Sequence, residues 1–228
     1  DSSPNALQGT LANGAGWVQE GGRSVLRLDD RQGQYVELGN ADAVNLPAKP
    51  VFTADPMNIT LVVEHGDHHI TVLDGDKMEP ITRFATRYAL HGGPKFTQDG
   101  RFVFWATRDG WITKFDLWNL KVVAEIRAGI NTRNLAVSSD GKVVMVANYL
   151  PHSLVALNSS DLTPIKVIPV IGNNGKTSRV SAVYDARPRN SFIAALKDIP
   201  EVWEIPYDGR PVYRGLVHDY ALKEAIPE

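Results

Sequence analysis

The sequence predicts an all-β protein, a β-propeller built of four-stranded antiparallel blades. Two short sequence markers recur at intervals of about 45 residues, which is a typical period of propeller blades. The 228 residues include 19 Gly and 14 Pro, and the apolar stretches are rich in Val, Ile and Phe. This composition is typical of many short strands joined by tight turns.

The first marker is an apolar residue, two small or polar residues and usually an acid. Its copies are Phe52-Thr-Ala-Asp55, Phe96-Thr-Gln-Asp99, Val137-Ser-Ser-Asp140 and, less regularly, Tyr184-Asp-Ala-Arg187. In the second and third copies a glycine follows the acid, at Gly100 and Gly141. Because Asp-Gly favours a turn with positive φ, these two copies are expected to join the first two strands of a blade.

The second marker is an alternating strand that ends in a polar residue. Its copies are Val25-Leu-Arg-Leu-Asp29, Ile70-Thr-Val-Leu-Asp74, Ile112-Thr-Lys-Phe-Asp116, Leu154-Val-Ala-Leu-Asn158 and Val202-Trp-Glu-Ile-Pro206. Only the last copy lacks the polar terminus. Each copy is expected to form a strand inside one blade.

The markers divide the chain into residues 1–49 and residues 50–228. The first part is an irregular lead-in with strands of a first blade expected at Gly16–Gln19 and Ser24–Asp29. The second part is a series of consecutive blades. Since nothing marks a strand that closes the ring, an incomplete ring is favoured, and a complete five-bladed propeller is the alternative.

Composition excludes several classes of function. The chain has no cysteine, which rules out disulfides, thiolate catalysis, Fe–S clusters and a covalently attached c-type haem within these residues. A net charge of -2 argues against a nucleic-acid partner. No segment approaches the roughly 18 consecutive apolar residues of a membrane-spanning helix, so no membrane span is expected. No signal peptide is visible, as expected of a mature or trimmed chain.

One histidine distinguishes the second repeat from the others. His91 is followed by Gly92 and Gly93, which leave room for a flat ligand to approach it. Neutral imidazole is a common axial ligand of haem iron. A lone histidine is more often a structural hydrogen-bonding residue, so both interpretations stay open for His91 by itself.

Arginines near His91 in the repeat frame favour the ligand interpretation. Alternation along an extended segment would place Arg83 and Arg87 on the same side as His91. Arg108 is expected at a strand end and Arg133 in a blade-entry loop, and both kinds of position face the central channel. Several guanidinium groups suit a ligand with several carboxylates. The alternative is that each arginine pairs with a nearby surface acid such as Asp109.

Two further positions follow from the same frame. Tyr149 occupies the place in its blade that Arg108 holds in the blade before, and His65 is the equivalent residue of the first regular blade. The neighbouring His68 and His69, with Asp67, have the composition of a metal site. They lie in the turn between two strands, however, where polar residues are expected, and adjacent histidines on a strand would point to opposite faces, so a metal cluster is not favoured.

The motifs together resemble the haem d1-binding propeller domain of cytochrome nitrite reductases and of related proteins of haem d1 biosynthesis. The similarity extends from about Pro50 to the end of the chain. The segments that carry it are Thr86-Arg-Tyr-Ala-Leu-His91, Asp99-Gly-Arg-Phe102, Arg108-Asp-Gly110, Phe115-Asp-Leu-Trp118, Ala124-Glu-Ile126, Gly129-Ile-Asn-Thr-Arg133 and Ala147-Asn-Tyr149.

The resemblance implies that this chain corresponds to the first half of an eight-bladed ring that binds haem d1. His91 falls on the proximal iron ligand of the family. Arg108, Arg133 and Tyr149 fall on residues that contact the haem carboxylates and carbonyls. His65 replaces a contacting arginine, and the backbone around Ala195 would approach the macrocycle. The expected cofactor-binding set is His91, Arg87, Arg108, Arg133, Tyr149, His65 and Ala195.

The segments Gly92-Gly-Pro-Lys95 and Asn131-Thr-Arg-Asn-Leu135 look most like the branch of the family that dehydrogenates dihydro-haem d1. The resemblance implies a periplasmic oxidoreductase of denitrifying metabolism, which converts a propionate of dihydro-haem d1 to an acrylate. It also implies a tetrapyrrole ligand, a c-type haem outside this chain that accepts electrons, and contacts with other proteins of the haem d1 pathway. Distal groups are expected outside this chain. Nitrite reduction and a haem-free interaction platform are the alternatives.

Overall fold

The computed structural model describes residues 46–211 with their side chains, and the backbone alone of six strands near the two ends. Near the N-terminus these are β1 (Gln8–Ala12), β2 (Gly16–Glu20), β3 (Arg23–Arg27) and β4 (Tyr35–Gly39). β1 pairs with β4 and β2 pairs with β3, both antiparallel. The two predicted N-terminal strands therefore form as β2 and β3, although residues 28 and 29 lie outside the described part.

Four antiparallel sheets follow one another along the chain, and we call them blades 1 to 4. Blade 1 contains β5 (Ile59–Glu64), β6 (His69–Asp74) and β7 (Glu79–Ala85). Blade 2 contains β8 (Lys95–Phe96), β9 (Phe102–Ala106), β10 (Trp111–Asp116) and β11 (Lys121–Arg127). Blade 3 contains β12 (Asn131–Val137), β13 (Val143–Leu150), β14 (Ser153–Asn158) and β15 (Pro164–Pro169). Blade 4 contains β16 (Val180–Ala186), β17 (Ser191–Leu196) and β18 (Val202–Pro206).

The remaining elements are short. One-turn 3-10 helices occupy Pro56–Asn58 and Arg187–Arg189. Beyond blade 4, β19 (Leu216–Asp219) and β20 (Glu224–Pro227) form a hairpin. β4 pairs with the outer strand β11, so the sheet of blade 2 continues into the N-terminal segment. Among the described residues, no helix has the length and apolar character needed to cross a bilayer.

The predicted turns are present between the first and second strands of blades 2 and 3. Gly100 and Gly141 have φ of 68° and 72°, the left-handed conformation that Asp-Gly turns require. In blade 3, Ser138 Oγ donates to Asp140 Oδ1 at 2.6 Å, and this carboxylate also accepts from Lys142 N at 3.1 Å. The acid of the marker therefore closes the turn by hydrogen bonds to its own loop.

The polar terminus of the second marker also has a local hydrogen-bonding role. Asp74 Oδ1 accepts from Asp76 N at 2.9 Å, Asp116 Oδ1 from Trp118 N at 3.0 Å, and Asn158 Oδ1 from Ser160 N at 3.0 Å. In each blade the side chain satisfies the backbone N–H two residues later and starts the turn out of the strand. This explains why a short polar residue recurs at the end of these strands.

Three apolar clusters join successive blades. Between blades 1 and 2 the cluster includes Val72 and Trp105, and between blades 2 and 3 it includes Ile112 and Leu135. The third cluster joins blades 3 and 4 and contains the fully buried Phe192. Because each sheet buries its face against the next sheet, the blades stack as the propeller prediction requires.

Candidate functional site

Blades 2, 3 and 4 share an irregularity where their first strands begin. The register between β12 and β13 slips at Arg133, and the register between β16 and β17 slips at Ser181. In blade 2, Leu90 forms an isolated bridge with Thr107, and His91 N donates to Ala106 O at 3.0 Å. His91 therefore occupies the position of Arg133 and Ser181 in its own blade. A bulge at such a position re-aims a side chain away from the regular alternation of the strand.

The imidazole of His91 is held by the following blade. Its Nδ1 lies 2.8 Å from the carbonyl oxygen of Arg133. A carbonyl can only accept, so Nδ1 carries the proton and donates, and Nε2 of the neutral ring keeps its lone pair. Within residues 46–211, Nε2 has no hydrogen-bond partner. His91 is thus oriented through one ring nitrogen and available for coordination through the other.

Electrostatics keep this ring neutral. Burial lowers the pKa of His91 below its ordinary value of 6.5, while the hydrogen bond to the Arg133 carbonyl opposes this shift. The positive charges of Arg133 and Arg108, and the neighbouring His65, lower the pKa further. The imidazole is therefore unprotonated at neutral pH, the state in which it can bind a metal.

Two of the predicted arginines form no ion pair within the described part of the chain. The backbone of Arg108 bridges two blades, because its N–H donates to Ala89 O at 2.9 Å and its carbonyl accepts from Thr132 N at 3.2 Å. Its side chain is exposed. The alternative of pairing with a nearby surface acid is not seen for Arg108, and the Asp109 carboxylate accepts from Thr107 Oγ1 at 2.6 Å. Arg133 is half-buried and likewise forms no ion pair there.

Tyr149 lies at the end of β13, and cationic side chains lie close to its ring. The guanidinium carbon of Arg133 lies 5.1 Å from the ring centroid, and that of Arg179 lies 5.2 Å from it. Lys197 Nζ lies 5.5 Å from the same centroid. These distances are within the range of cation–π attraction. The ring of Tyr149 thus connects the first strand of blade 3 with the fourth blade.

Glycine beside His91 is explained by local geometry. Gly92 has φ of 76°, a conformation that other residues rarely adopt. A Cβ at this position would lie 3.5 Å from the Arg133 carbonyl oxygen, the acceptor of the His91 hydrogen bond. A Cβ at Gly93 would meet only Lys95 Nζ, at 3.8 Å. The positive φ is the feature that favours glycine at position 92, and room for a flat ligand beside the two glycines stays a prediction.

His65 lies at the strand end expected from the repeat, and Ala195 lies in the second strand of blade 4. His65 follows β5, is exposed, and is close enough to His91 to affect its pKa. Ala195 is a half-buried residue of β17, and its carbonyl accepts from Ser181 Oγ at 3.0 Å. The contact of the Ala195 backbone with a macrocycle stays a prediction.

Arg83 and Arg87 do not join His91 in one group of side chains, contrary to the alternation argument. β7 ends at Ala85 and the chain bends at Arg87 and Tyr88, so the segment is not continuously extended. Arg83 Nη2 binds Glu64 Oε2 at 2.8 Å. Arg87 pairs with Glu125 of β11 at 2.8 Å and stacks on Trp111, 4.5 Å from the ring centroid. The charge of Arg87 is thus already paired with Glu125, and a role of Arg87 in ligand binding stays a prediction.

The histidine-rich turn between β5 and β6 is held by local contacts. His69 Nδ1 lies 2.8 Å from Asp67 O, and the His68 ring packs on Tyr88 with centroids 5.2 Å apart. Across residues 46–211, no three or more His, Cys, Asp or Glu side chains are grouped so that they could hold a metal ion.

Two residues near the site were missed by the sequence reasoning, namely Arg179 and Lys197. Lys197 directly follows β17, the second strand of blade 4. Arg108 and Tyr149 end or follow the second strands of blades 2 and 3 in the same way. Extending the repeat frame to the fourth blade would therefore have identified Lys197.

Comparison with known proteins gives one family match. The family model described as "Cytochrome D1 heme domain" matches residues 54–218. A dihydro-heme d1 dehydrogenase of Pseudomonas aeruginosa is 63% identical over 168 residues, which cover 73% of this chain and 34% of that protein. A nitrite reductase of Stutzerimonas stutzeri is 28% identical over 150 residues, which cover 63% of this chain and 26% of that protein. This chain thus spans about a third, or less, of the length of these relatives.

Two solved structures support the fold. The structure described as dihydro-heme d1 dehydrogenase NirN in complex with DHE aligns with a TM-score of 0.72 and 59% identity, covering 77% of this chain and 37% of that chain. The β-propeller domain of Cps50 (Swd1) from Myceliophteria thermophila aligns with a TM-score of 0.51 and 13% identity, covering 65% of this chain and 50% of that chain. The second match supports the fold alone. The predicted β-propeller architecture is confirmed, and the eight-bladed ring stays a prediction.

Proposed function

This chain belongs to the cytochrome D1 heme domain family, and from that premise we propose that it supplies one half of a binding site for dihydro-haem d1. In the whole protein, the bound tetrapyrrole is the substrate of a dehydrogenase that forms haem d1. The observation that carries the proposal is the hydrogen bond from His91 Nδ1 to the Arg133 carbonyl, which leaves Nε2 as a lone-pair donor. The 63% identity to a dihydro-heme d1 dehydrogenase supports the choice of substrate.

The donor set fits an iron tetrapyrrole with acidic side chains. His91 is a neutral imidazole with one oriented and one available nitrogen, which suits an axial iron ligand. The charges of Arg108 and Arg133 both lower the pKa of His91, and neither arginine forms an ion pair with an acid of residues 46–211. Guanidinium groups bind carboxylates through paired, charge-assisted hydrogen bonds. The site thus offers a metal ligand and carboxylate receptors side by side.

Dehydrogenation of a propionate to an acrylate breaks two C–H bonds and forms one C=C bond, so two electrons and two protons leave the substrate. The tetrapyrrole supplies the conjugated π system and the iron through which the electrons depart. In this proposal, His91 would hold the iron, and Arg108, Arg133 and Tyr149 would hold the acidic side chains of the macrocycle. The proton acceptor is expected elsewhere in the whole protein.

We propose a c-type haem, held by another domain or protein, as the electron acceptor. The 228 residues contain no cysteine, so the covalent attachment of such a haem must lie elsewhere. Periplasmic location and contacts with other haem d1 pathway proteins are further parts of the proposal, supported by the family resemblance. Nitrite reduction is the second candidate, supported by the 28% identity to a nitrite reductase.

Turnover of dihydro-haem d1 by the full-length protein tests the proposal. We expect the purified protein, incubated with dihydro-haem d1 and an oxidised c-type cytochrome, to yield a product that has lost two hydrogens by mass spectrometry. The cytochrome should be reduced in parallel. An unchanged macrocycle would contradict the dehydrogenase assignment. Formation of nitric oxide from nitrite by the haem d1-loaded protein would favour the second candidate instead.

A further inference from the structure

Among residues 46–211, three cationic side chains lie near the ring of Tyr149, and one of them, Arg179, is paired with an acid of that range. Arg179 donates from Nη2 to Asp198 Oδ1 at 2.6 Å and from Nε to Oδ2 of the same carboxylate at 3.0 Å. Arg133 and Lys197, by contrast, form no ion pair with any residue from 46 to 211. Cations repel one another when they share a site, so two unpaired cations on one aromatic ring indicate that an anion binds between them.

The backbone fixes the location of Lys197. Its N–H donates to Arg179 O at 2.9 Å, and the N–H of Asp198 donates to Ser178 Oγ at 2.9 Å. Asp198 is the nearest acid in sequence, but its carboxylate is occupied by Arg179. The hydrogen bonds from Arg179 hold the pKa of Asp198 far below its ordinary value, so the pair stays ionised and Asp198 does not neutralise Lys197.

We propose that Lys197 and Arg133 form a carboxylate subsite on the ring of Tyr149, and that this subsite receives one acidic side chain of the tetrapyrrole. The inference rests on the proposed function and deepens it, because it assigns a specificity-determining residue to blade 4. The second strands of blades 2, 3 and 4 end at or next to Arg108, Tyr149 and Lys197, and His65 follows β5 of blade 1. Lys197 is the member of this set contributed by the fourth blade.

The chemistry of the pair favours a carboxylate over a neutral group. The planar guanidinium of Arg133 can bind both oxygens, whereas the Lys197 ammonium adds a point charge with three donors. The exposed side chain of Lys197 can move to meet a ligand without repacking the core. Arg179 remains paired with Asp198, so its charge is not available to the ligand in the same way.

Iron-free porphyrins that differ in their number of carboxylates provide the test, because no bond between iron and His91 then contributes to binding. The full-length protein is titrated with an iron-free tetracarboxylate porphyrin and an iron-free dicarboxylate porphyrin by fluorescence quenching. We expect Lys197→Met to weaken binding of the tetracarboxylate about tenfold, which corresponds to the loss of one charge-assisted hydrogen bond, and to reduce the salt dependence of binding. Lys197→Arg should restore most of the affinity.

Lys166→Met is the matched control, because Lys166 is an exposed lysine on the outer strand β15 of blade 3. It should bind both porphyrins like the wild type. Equal affinity of Lys197→Met and the wild type for the tetracarboxylate would overturn the subsite. Failure of the proposed function is measured separately, as the absence of an iron–imidazole absorption band when the wild-type protein is mixed with dihydro-haem d1.

Discussion

The guanidinium of Arg101 donates two hydrogen bonds, of 2.9 and 3.2 Å, to the fully buried carboxylate of Asp116. The same carboxylate accepts from Asn119 Nδ2 at 2.9 Å and from the backbone N–H of Trp118 at 3.0 Å. Asp116 therefore accepts hydrogen bonds from the residue that precedes β9 and from the turn that follows β10. This network lies in blade 2, the blade that carries His91.

Replacing Asp116 should destabilise the protein strongly. Asp116→Ala leaves the Arg101 charge and several buried N–H groups without their acceptor, and we expect the free energy of unfolding to fall by about 3–5 kcal/mol. Urea unfolding followed by circular dichroism measures the loss. Glu79→Ala is the control, since Glu79 is exposed, and it should change stability by less than about 0.5 kcal/mol. A decrease of less than about 0.5 kcal/mol in the free energy of unfolding of Asp116→Ala would contradict a stabilising role of this network.

A close approach between blades 2 and 3 makes Gly110 sensitive to substitution. A Cβ at Gly110 would lie 1.9 Å from the carbonyl oxygen of Gly129, and the residue has φ of 96°. Gly110→Ala should therefore cost at least about 2 kcal/mol, from backbone strain and displacement of the next blade. Thermal unfolding of Gly110→Ala and Gly66→Ala provides the comparison. Gly66 has open space around its Cβ position, so equal melting temperatures of the two variants would contradict the close approach of Gly110 to Gly129.

Removal of the His91 imidazole should abolish axial coordination of the iron. In the full-length protein, we expect His91→Ala to lose the iron–imidazole absorption band with dihydro-haem d1 and to bind it about 100-fold or more weakly, because even outer-shell changes cost metal sites 10–100-fold. His152→Ala is the control. His152 belongs to blade 3, whereas His91 belongs to blade 2, and its removal should leave the spectrum unchanged. An intact band in His91→Ala would show that another residue holds the iron.

Ligand binding should depend on pH through His91. Its pKa is lowered from 6.5, mainly by burial, so the ring remains neutral into mildly acidic solution. Coordination needs the neutral ring, and affinity should therefore stay constant from pH 8 down to about 6.5 and fall only below that value. Spectral titrations across this range measure the midpoint. A loss of affinity that already begins above pH 6.5 would contradict a lowered pKa.

Much of the fold follows from short-range chemistry in the sequence. Asp-Gly turns at Gly100 and Gly141 and the polar strand ends at Asp74 and Asp116 act on their own loops, so local sequence is sufficient to identify them. The equivalence of strand ends across blades also locates Arg108 and Tyr149 at the ends of the second strands of blades 2 and 3. These features depend on the repeat alone, and the structure confirms their positions.

Features that depend on contacts between segments could not be predicted. Strand alternation predicts that Arg87 lies on the same side as His91. This prediction fails because the chain bends at Arg87, whose side chain pairs with Glu125 on a strand distant in sequence. The hydrogen bond from His91 to the Arg133 carbonyl requires two blades packed together and a bulge in β12. Neither the packing nor the bulge is encoded in a local pattern, although the glycine after His91 is consistent with both.

The residue at position 133 performs two separable tasks, since its main chain orients the imidazole while its side chain lies over Tyr149. Every amino acid has a main-chain carbonyl, so any residue that preserves the bulge at this position can still accept the hydrogen bond from His91. Substitutions at this position can therefore alter the charge beside Tyr149 during evolution, while the orientation of the His91 imidazole is inherited unchanged.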